Sequence, residues 1–186
     1  MFELYAFATP NSVKSPIALE EMGLSYVLKP VNIRQGEQKA PDFLALNPNA
    51  KVPVLVDGAL VLTESAAILV HLAEKTGRPL PRDGADRARV FEQLFFHASA
   101  LSPAFGNAGF FKRRATDPQP LAQARFVAGD DFTIADIAHF GWLWRREFPG
   151  LTLDGRSNLV RWFDAVAARP AVRRAIARVE ALLQAA

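Results

Sequence analysis

The sequence predicts an α/β domain in its first half and an all-helical domain in its second half. Short apolar strands alternate with amphipathic helices over the first 77 residues. A segment rich in proline, arginine and glycine follows at 78–84 and is typical of a linker. Every strong pattern beyond it is helical. We therefore expect an α/β domain at 1–77, a linker at 78–84 and an all-α domain at 85–186.

The elements of the first half are delimited by caps and turns. Ser12 is the expected N-cap of the first helix, and Gly23 and Gly77 are the expected stops of the first and third. Asp57-Gly58 is a typical hairpin turn. The predicted elements are strands at 2–7 and 26–31, helices at 12–22, 41–46 and 64–75, and a hairpin at 54–62. Their order builds one small sheet with helices on both sides.

Four helical segments are expected in the second half. The first spans about 85–101, and the last two are separated by Pro170. Between them, Thr133 and Asp136 have the spacing of a capping box, with Phe132 placed to pack against Ile137.

Composition excludes several classes of function. The chain has no apolar run long enough to span a membrane, and its N-terminus lacks a signal-peptide pattern, so we expect a cytoplasmic protein without a membrane partner. Acidic residues interrupt the late arginines, which favours solvent-facing helix surfaces over a nucleic-acid site. The three histidines lack metal-ligand spacing, so no metal is expected. Cysteine is absent, so any reactive thiol must arrive with a ligand.

Two short motifs predict a site that holds a peptide by its backbone. Pro53 follows a β-type residue and precedes a strand, which makes the Val52-Pro53 bond a candidate cis peptide. Such a turn leaves the Val52 amide and carbonyl free for a ligand. Glu64 and Ser65 then offer a carboxylate, a hydroxyl and unpaired helix-start amides to a ligand that carries both an amine and a carboxylate.

These motifs, in this order, resemble a cytosolic glutathione S-transferase along nearly the whole chain. The resemblance implies a thioredoxin-like N-terminal domain, an all-α C-terminal domain and glutathione as co-substrate. Thr9-Pro10-Asn11 is similar to the bacterial Nu class, which couples transferase activity to glutathione-dependent disulfide reduction. A homodimer is implied as well, and the apolar helix from Phe91 to Leu101 is a candidate for its interface.

The resemblance also implies a role for each residue of the motifs. Thr9 and Asn11 would face the sulfur, where a hydroxyl, an amide and the positive end of a helix dipole stabilise a thiolate. The pocket for a small hydrophobic electrophile or a disulfide would include Phe105, Phe110 and Phe111. The implied glutathione-binding residues are Gln38, Lys51, Val52, Pro53, Glu64 and Ser65.

Alternatives stay open for the sulfur contact and for the function. Tyr5 lies within the first strand, which favours a packing role, whereas Ser12 at the helix start competes more directly with Thr9. The same fold also serves as a non-catalytic interaction module. We expect an enzyme because Lys51, Val52, Glu64 and Ser65 occur together with Thr9.

The second half is shorter than the resemblance implies. Family members carry a long helix between the region of Arg125 and the Phe132 motif, and a six-turn helix needs about 20 residues. Here residues 119–125 run almost directly into 127–131. Either residues are deleted near 125–126, or a segment of the protein is left out of the numbered sequence at that point. A deletion would open part of the helical core and weaken the electrophile pocket.

Overall fold

The computed structural model describes residues 1–103, 121, 124–147 and 152–184. Its first half contains strands β1 (Phe2–Ala6), β2 (Tyr26–Pro30), β3 (Val54–Asp57) and β4 (Leu60–Leu62), helices α1 (Lys14–Met22), α2 (Pro41–Leu46) and α3 (Ser65–Thr76), and a 3-10 turn at Glu37–Lys39. The described second half contains α4 (Gly84–Phe96), a π-helix (His97–Leu101), α5 (Ile134–Trp144), α6 (Ser157–Ala167) and α7 (Pro170–Gln184).

The four strands form one mixed sheet in the order β2-β1-β3-β4. β1 runs parallel to β2 and antiparallel to β3, and Leu4 is paired with Leu28 on one side and with Leu55 on the other. Alternate residues of β1 are buried, as expected for a strand with one face on the core. That face joins α1 and α3 in the main core, and Phe43 of α2 packs with Val54 on the other side.

The predicted capping box at the start of α5 is present. The Thr133 hydroxyl accepts a hydrogen bond from the Ala135 amide, and the Asp136 carboxylate accepts one from the Thr133 amide at 2.9 Å. Asp136 is fully buried and also accepts from Trp162 Nε1 at 2.7 Å and from the Val127 amide at 3.1 Å. Burial raises the pKa of Asp136, and these hydrogen bonds oppose the rise. This carboxylate joins α5, α6 and the segment before them.

The two halves share one hydrophobic core across the predicted linker. Its buried residues come from the sheet, from α1 and α3, and from α4 to α7. α1 lies at the centre, because it contacts α3 within its own half and both α5 and α7 of the other half. Since the core is shared, it does not mark a boundary between the halves, and the domain bounds 1–77, 78–84 and 85–186 stay a prediction.

Several C-terminal arginines bind other elements while their side chains stay partly or largely exposed, which agrees with the expected solvent-facing helix surfaces. Arg169 binds Glu21 of α1 through two contacts of 2.6 and 2.7 Å, and Arg174 binds Glu20 at 2.9 Å. Arg161 donates to the carbonyl oxygen of Leu121 at 2.6 Å. The guanidinium groups thus join α7 to α1, and α6 to the segment before α5.

Some predicted bounds also change. Gly23 and Gly77 end α1 and α3 in the left-handed conformation, as expected. The helix predicted at 85–101 begins at Gly84 and continues after Phe96 as a π-helix. Within the described residues, no helix is both long and apolar enough to cross a bilayer.

Candidate functional site

Thr9 and Ser12 form a hydrogen-bonded turn immediately before α1. Thr9 Oγ1 accepts from the Ser12 amide at 3.1 Å, and the two hydroxyl oxygens lie 3.0 Å apart. Ser12 is fully buried, and its oxygen accepts from the Phe7 amide at 3.5 Å. The N-cap position belongs to Val13, with no side-chain cap. The prediction that Ser12 caps α1 is therefore wrong, since its side chain points back toward β1.

The contact between the two hydroxyls determines what Thr9 can offer a ligand. A proton from either oxygen satisfies the 3.0 Å contact, because hydroxyl groups rotate freely. When Ser12 donates, the Thr9 proton is free to point toward an anion while Thr9 Oγ1 accepts two hydrogen bonds. In this arrangement the Ser12 hydroxyl donates a hydrogen bond to Thr9 Oγ1 and holds it in place. Ser12 itself is inaccessible to a ligand.

Asn11 is anchored by a lysine that the sequence analysis did not single out. Lys14 begins α1 and is only 1% exposed. Its Nζ donates to Asn11 Oδ1 at 2.8 Å and lies 3.5 Å from Ser65 Oγ. Through this amine the structure links Asn11, at the start of α1, with Ser65, at the start of α3.

The same amine reaches the second half of the chain. Lys14 Nζ lies 2.7 Å from His97 Nε2, and the ring of His139 is centred 5.2 Å from that of His97. Burial lowers the pKa of Lys14 to about 7, with the Glu64 carboxylate opposing the decrease. Burial also lowers the pKa of His139 to about 4 and that of His97 well below its usual range. Both histidines are therefore neutral at pH 7.

The start of α3 presents Glu64 and Ser65 as predicted. Glu64 occupies the N-cap position and is exposed, and its side chain makes no capping bond. The first amides of the helix therefore have no intrahelical partner. A ligand carboxylate placed there meets N–H donors, while the Glu64 carboxylate suits an amine.

The loop before β3 exposes the backbone of Val52. Asn47 is buried, and its side chain donates to the Lys51 carbonyl at 2.7 Å and accepts from the Asn49 amide at 3.0 Å. The Val52-Pro53 peptide is cis, as expected. Among the described residues, neither the amide nor the carbonyl of Val52 has a hydrogen-bond partner. Both groups are available to a ligand backbone.

Gln38 and Lys51 lie at the edge of this region. Gln38 is in the 3-10 turn, and its buried Oε1 has no hydrogen-bond partner among the described residues. An amide can be rotated by half a turn, so the same position can hold a donor instead. Lys51 is exposed. No described contact links either side chain to Thr9 or to Ser65.

A cavity of about 340 Å³ opens beside Thr9. Arg145, the C-cap of α5, donates to the Ala8 carbonyl at 3.3 Å, and its guanidinium lies 4.4 Å from the ring centre of Trp144. The lining is mostly apolar but includes two arginines. It consists of Phe7, Ala8, Thr9, Pro10, Ile33, Arg34, Trp142 and Arg145.

Other predicted or alternative site residues lie elsewhere. The Tyr5 hydroxyl is 3.2 Å from both Glu3 Oε2 and Lys29 Nζ, so it is engaged on the surface of the sheet. The predicted pocket residues Phe105, Phe110 and Phe111 fall outside the described residues. No group of three His, Asp or Glu able to hold a metal ion occurs within 1–103, 124–147 and 152–184.

Comparison with known proteins identifies the family. Residues 1–74 match the N-terminal domain of glutathione S-transferase, and residues 118–170 match its C-terminal domain. The disulfide-bond oxidoreductase YfcG of Escherichia coli is 32% identical over 209 aligned positions that cover 97% of this chain and 96% of YfcG. The chain belongs to the glutathione S-transferase family. The 209 aligned positions exceed the 186 residues here, so the alignment contains YfcG residues that have no counterpart in this sequence.

Two solved structures confirm the predicted fold. A glutathione transferase from Burkholderia graminis, with two glutathione molecules bound per subunit, is 34% identical to this chain with a TM-score of 0.85. The match covers 94% of this chain and 87% of that structure. A glutathione transferase from Pseudomonas putida, with one glutathione disulfide bound per subunit, is 30% identical with a TM-score of 0.82, and the match covers 90% of it and 94% of this chain. The predicted resemblance to the Nu class is confirmed by YfcG.

Proposed function

We propose that this chain is a glutathione transferase that ionises the glutathione thiol at the start of α1 and presents the thiolate to a disulfide or an electrophilic carbon. The observation that carries this proposal is the position of Thr9. Its hydroxyl is held at the start of α1, and the same residue lines an apolar cavity. A sulfur beside Thr9 would therefore contact its activating groups and face its reaction partner at once.

The grip on glutathione rests on backbone groups and helix starts. Val52 offers its amide and carbonyl to the cysteinyl unit, beside the cis Pro53. The Glu64 carboxylate accepts hydrogen bonds from the amine of the γ-glutamyl unit, and the Ser65 hydroxyl and the α3 amides donate to its carboxylate. We assign Gln38 and Lys51 to the glycyl carboxylate. Each assignment remains a proposal that pairs one group of the peptide with a complementary group of the chain.

The thiolate is stabilised without a general base. A free thiol has a pKa near 8.5, so only about 3% is ionised at pH 7. Hydrogen bonds from Thr9 and Asn11, together with the positive end of the α1 dipole, favour the anion. Lowering the thiol pKa by about two units takes roughly 2.7 kcal/mol, which two or three such contacts supply.

The cavity favours a disulfide whose ends carry negative charge. Arg34 and Arg145 flank an otherwise apolar lining. The relatives with two glutathiones or with glutathione disulfide bound support this choice. In the reaction, the thiolate attacks one sulfur of the disulfide, forms a mixed disulfide and releases the other sulfur as a thiolate. A second glutathione thiolate then releases the remaining thiol and yields glutathione disulfide, so the substrate gains two electrons from two glutathiones.

We also propose a homodimer with α4 in its interface. Phe95 is 65% exposed and Phe96 is 50% exposed. Such aromatic side chains on one helix suit burial against a second copy.

The relatives named as transferases and oxidoreductases favour an enzyme over a non-catalytic interaction module. A cytoplasmic location stays a prediction.

Parallel assays of one protein preparation test the function. Glutathione binding is measured by calorimetry, and turnover is measured with a halo-aromatic electrophile and with a small anionic disulfide. We expect binding and a faster reaction with the disulfide. Binding without turnover of either substrate would support the interaction module instead. An absence of binding at millimolar glutathione would refute the site itself.

A further inference from the structure

The amine of Lys14 is buried beneath the proposed sulfur site and has no part in the mechanism above. Three potential acceptors surround it: Asn11 Oδ1 at 2.8 Å, His97 Nε2 at 2.7 Å and Ser65 Oγ at 3.5 Å. A protonated lysine has three N–H donors and no acceptor. The three acceptors therefore match an ammonium group one for one.

This contact fixes the orientation of the Asn11 amide. The ammonium form of Lys14 can only donate, so whenever Lys14 is charged the amide oxygen of Asn11 faces it. The Asn11 NH₂ group then points away from Lys14. An anion at the start of α1 meets a donor rather than a carbonyl oxygen, and the carboxamide cannot turn over without losing its bond to the amine.

The charge on this amine has no direct partner in the protein. Among the described residues, no carboxylate lies within ion-pair distance of Lys14 Nζ, and the Glu64 carboxylate acts on it only through space. The groups facing it from the π-helix and α5, His97 and His139, are neutral at pH 7. A buried cation without a partner is costly, and an anionic ligand nearby offsets that cost.

We propose that Lys14 is a positioning residue of the thiolate site, which orients Asn11 toward the sulfur and supplies a positive charge beneath the anionic ligand. The proposal rests on the proposed function, since it concerns the same site. Lys14 does not touch the sulfur in this account. It acts through Asn11 and through its charge.

The first test measures the thiol pKa of bound glutathione from the ultraviolet absorbance of the thiolate, in wild type, Lys14→Met, Asn11→Ala and the double variant. Lys75→Met is the matched control, because Lys75 lies near the far end of α3 and binds Asp57. We expect Lys14→Met to raise the thiol pKa by about one unit, a ten-fold change in ionisation. The control should leave it unchanged.

The double variant distinguishes the effect that Lys14 has through the orientation of Asn11 from the effect of its charge on the thiolate. If Lys14 acts through Asn11, the shift in the double variant is smaller than the sum of the two single shifts. Strictly additive shifts would overturn the positioning role. An unchanged thiol pKa in Lys14→Met would overturn the whole proposal. A wild-type protein that does not lower the thiol pKa would instead refute the proposed function, so the two failures are distinguishable.

A second test uses wild-type protein alone and holds if Lys14→Met does not fold. Because the pKa of Lys14 is about 7, the amine is partly neutral at pH 7.5. S-methylglutathione has no titratable thiol, so its binding can raise the pKa of Lys14 without releasing a thiol proton. Calorimetry in two buffers of different ionisation enthalpy should show uptake of a fraction of a proton at pH 7.5 and less at pH 6. Equal uptake at both values would contradict the proposal.

Discussion

Replacing Thr9 by valine tests the thiolate account most directly. The substitution keeps the shape of the side chain and removes the hydroxyl that lies 3.0 Å from Ser12 Oγ and 3.1 Å from the Ser12 amide. If bound glutathione has a thiol pKa near 6.5, about three quarters is ionised at pH 7. Loss of one charge-assisted hydrogen bond, about 1.4 kcal/mol above its neutral counterpart, raises that pKa by about one unit.

The expected signature lies in the pH profile of kcat/KM. At pH 7 the ionised fraction falls to about one quarter, a three-fold loss, whereas below both pKa values the loss reaches ten-fold. Above pH 9 both proteins should have similar rates. Thr9→Ser should retain most activity, and Thr152→Val, at an exposed position, is the matched control. A profile that falls by the same factor at every pH would indicate damage to the loop and refute the role of the hydroxyl.

Three further predictions concern binding and stability. Ser65→Ala should weaken glutathione binding by about ten-fold in calorimetry, because a hydroxyl at the start of α3 is lost; unchanged affinity would contradict its assignment. Asp136→Ala should lower the free energy of unfolding by about 3–5 kcal/mol, since buried donors from Thr133, Val127 and Trp162 lose their acceptor. Urea unfolding measures this loss, with Asp136→Asn as the comparison variant. Gly141→Ala should destabilise the fold by about 1–3 kcal/mol and lower activity, because a methyl group there collides with the Pro10 carbonyl; wild-type values in unfolding and turnover would refute that contact.

Much of the fold was predictable because its signals are local. Gly23 and Gly77 end helices through a backbone conformation that other residues rarely adopt, and the Thr133–Asp136 spacing defines a helix start by itself. The bond before Pro53 was a candidate cis peptide in the sequence and is cis, whereas the cis bond before Pro79 was not predicted. Such features depend on a few adjacent residues, so the sequence displays them without knowledge of the tertiary structure.

The contacts of Lys14 depend on residues distant in sequence, and those of Ser12 depend on the path of the chain between β1 and α1, so neither set could be predicted in this way. Ser12 has the ideal type for an N-cap, but its hydroxyl is buried toward Phe7, and Thr9 accepts the amide hydrogen bond instead. One signal for Lys14 was available. A lysine in the first turn of a helix is disfavoured by the helix dipole, so its presence indicates a stabilising contact elsewhere. One such contact is with His97, 83 positions away in sequence.

The contacts by which the second half of the chain reaches the proposed site lie away from residues 125–126. The deletion expected near 125–126 is flanked by packed residues, since Phe126 and Val127 are buried and the Val127 amide binds Asp136. Among the described residues of the second half, those that reach the site include His97 at Lys14, Gly141 against Pro10, and Arg145, the C-cap of α5, at Ala8. Because none of these contacts involves residues 125–126, a deletion there would leave in place the contacts between the second half of the chain and the proposed site.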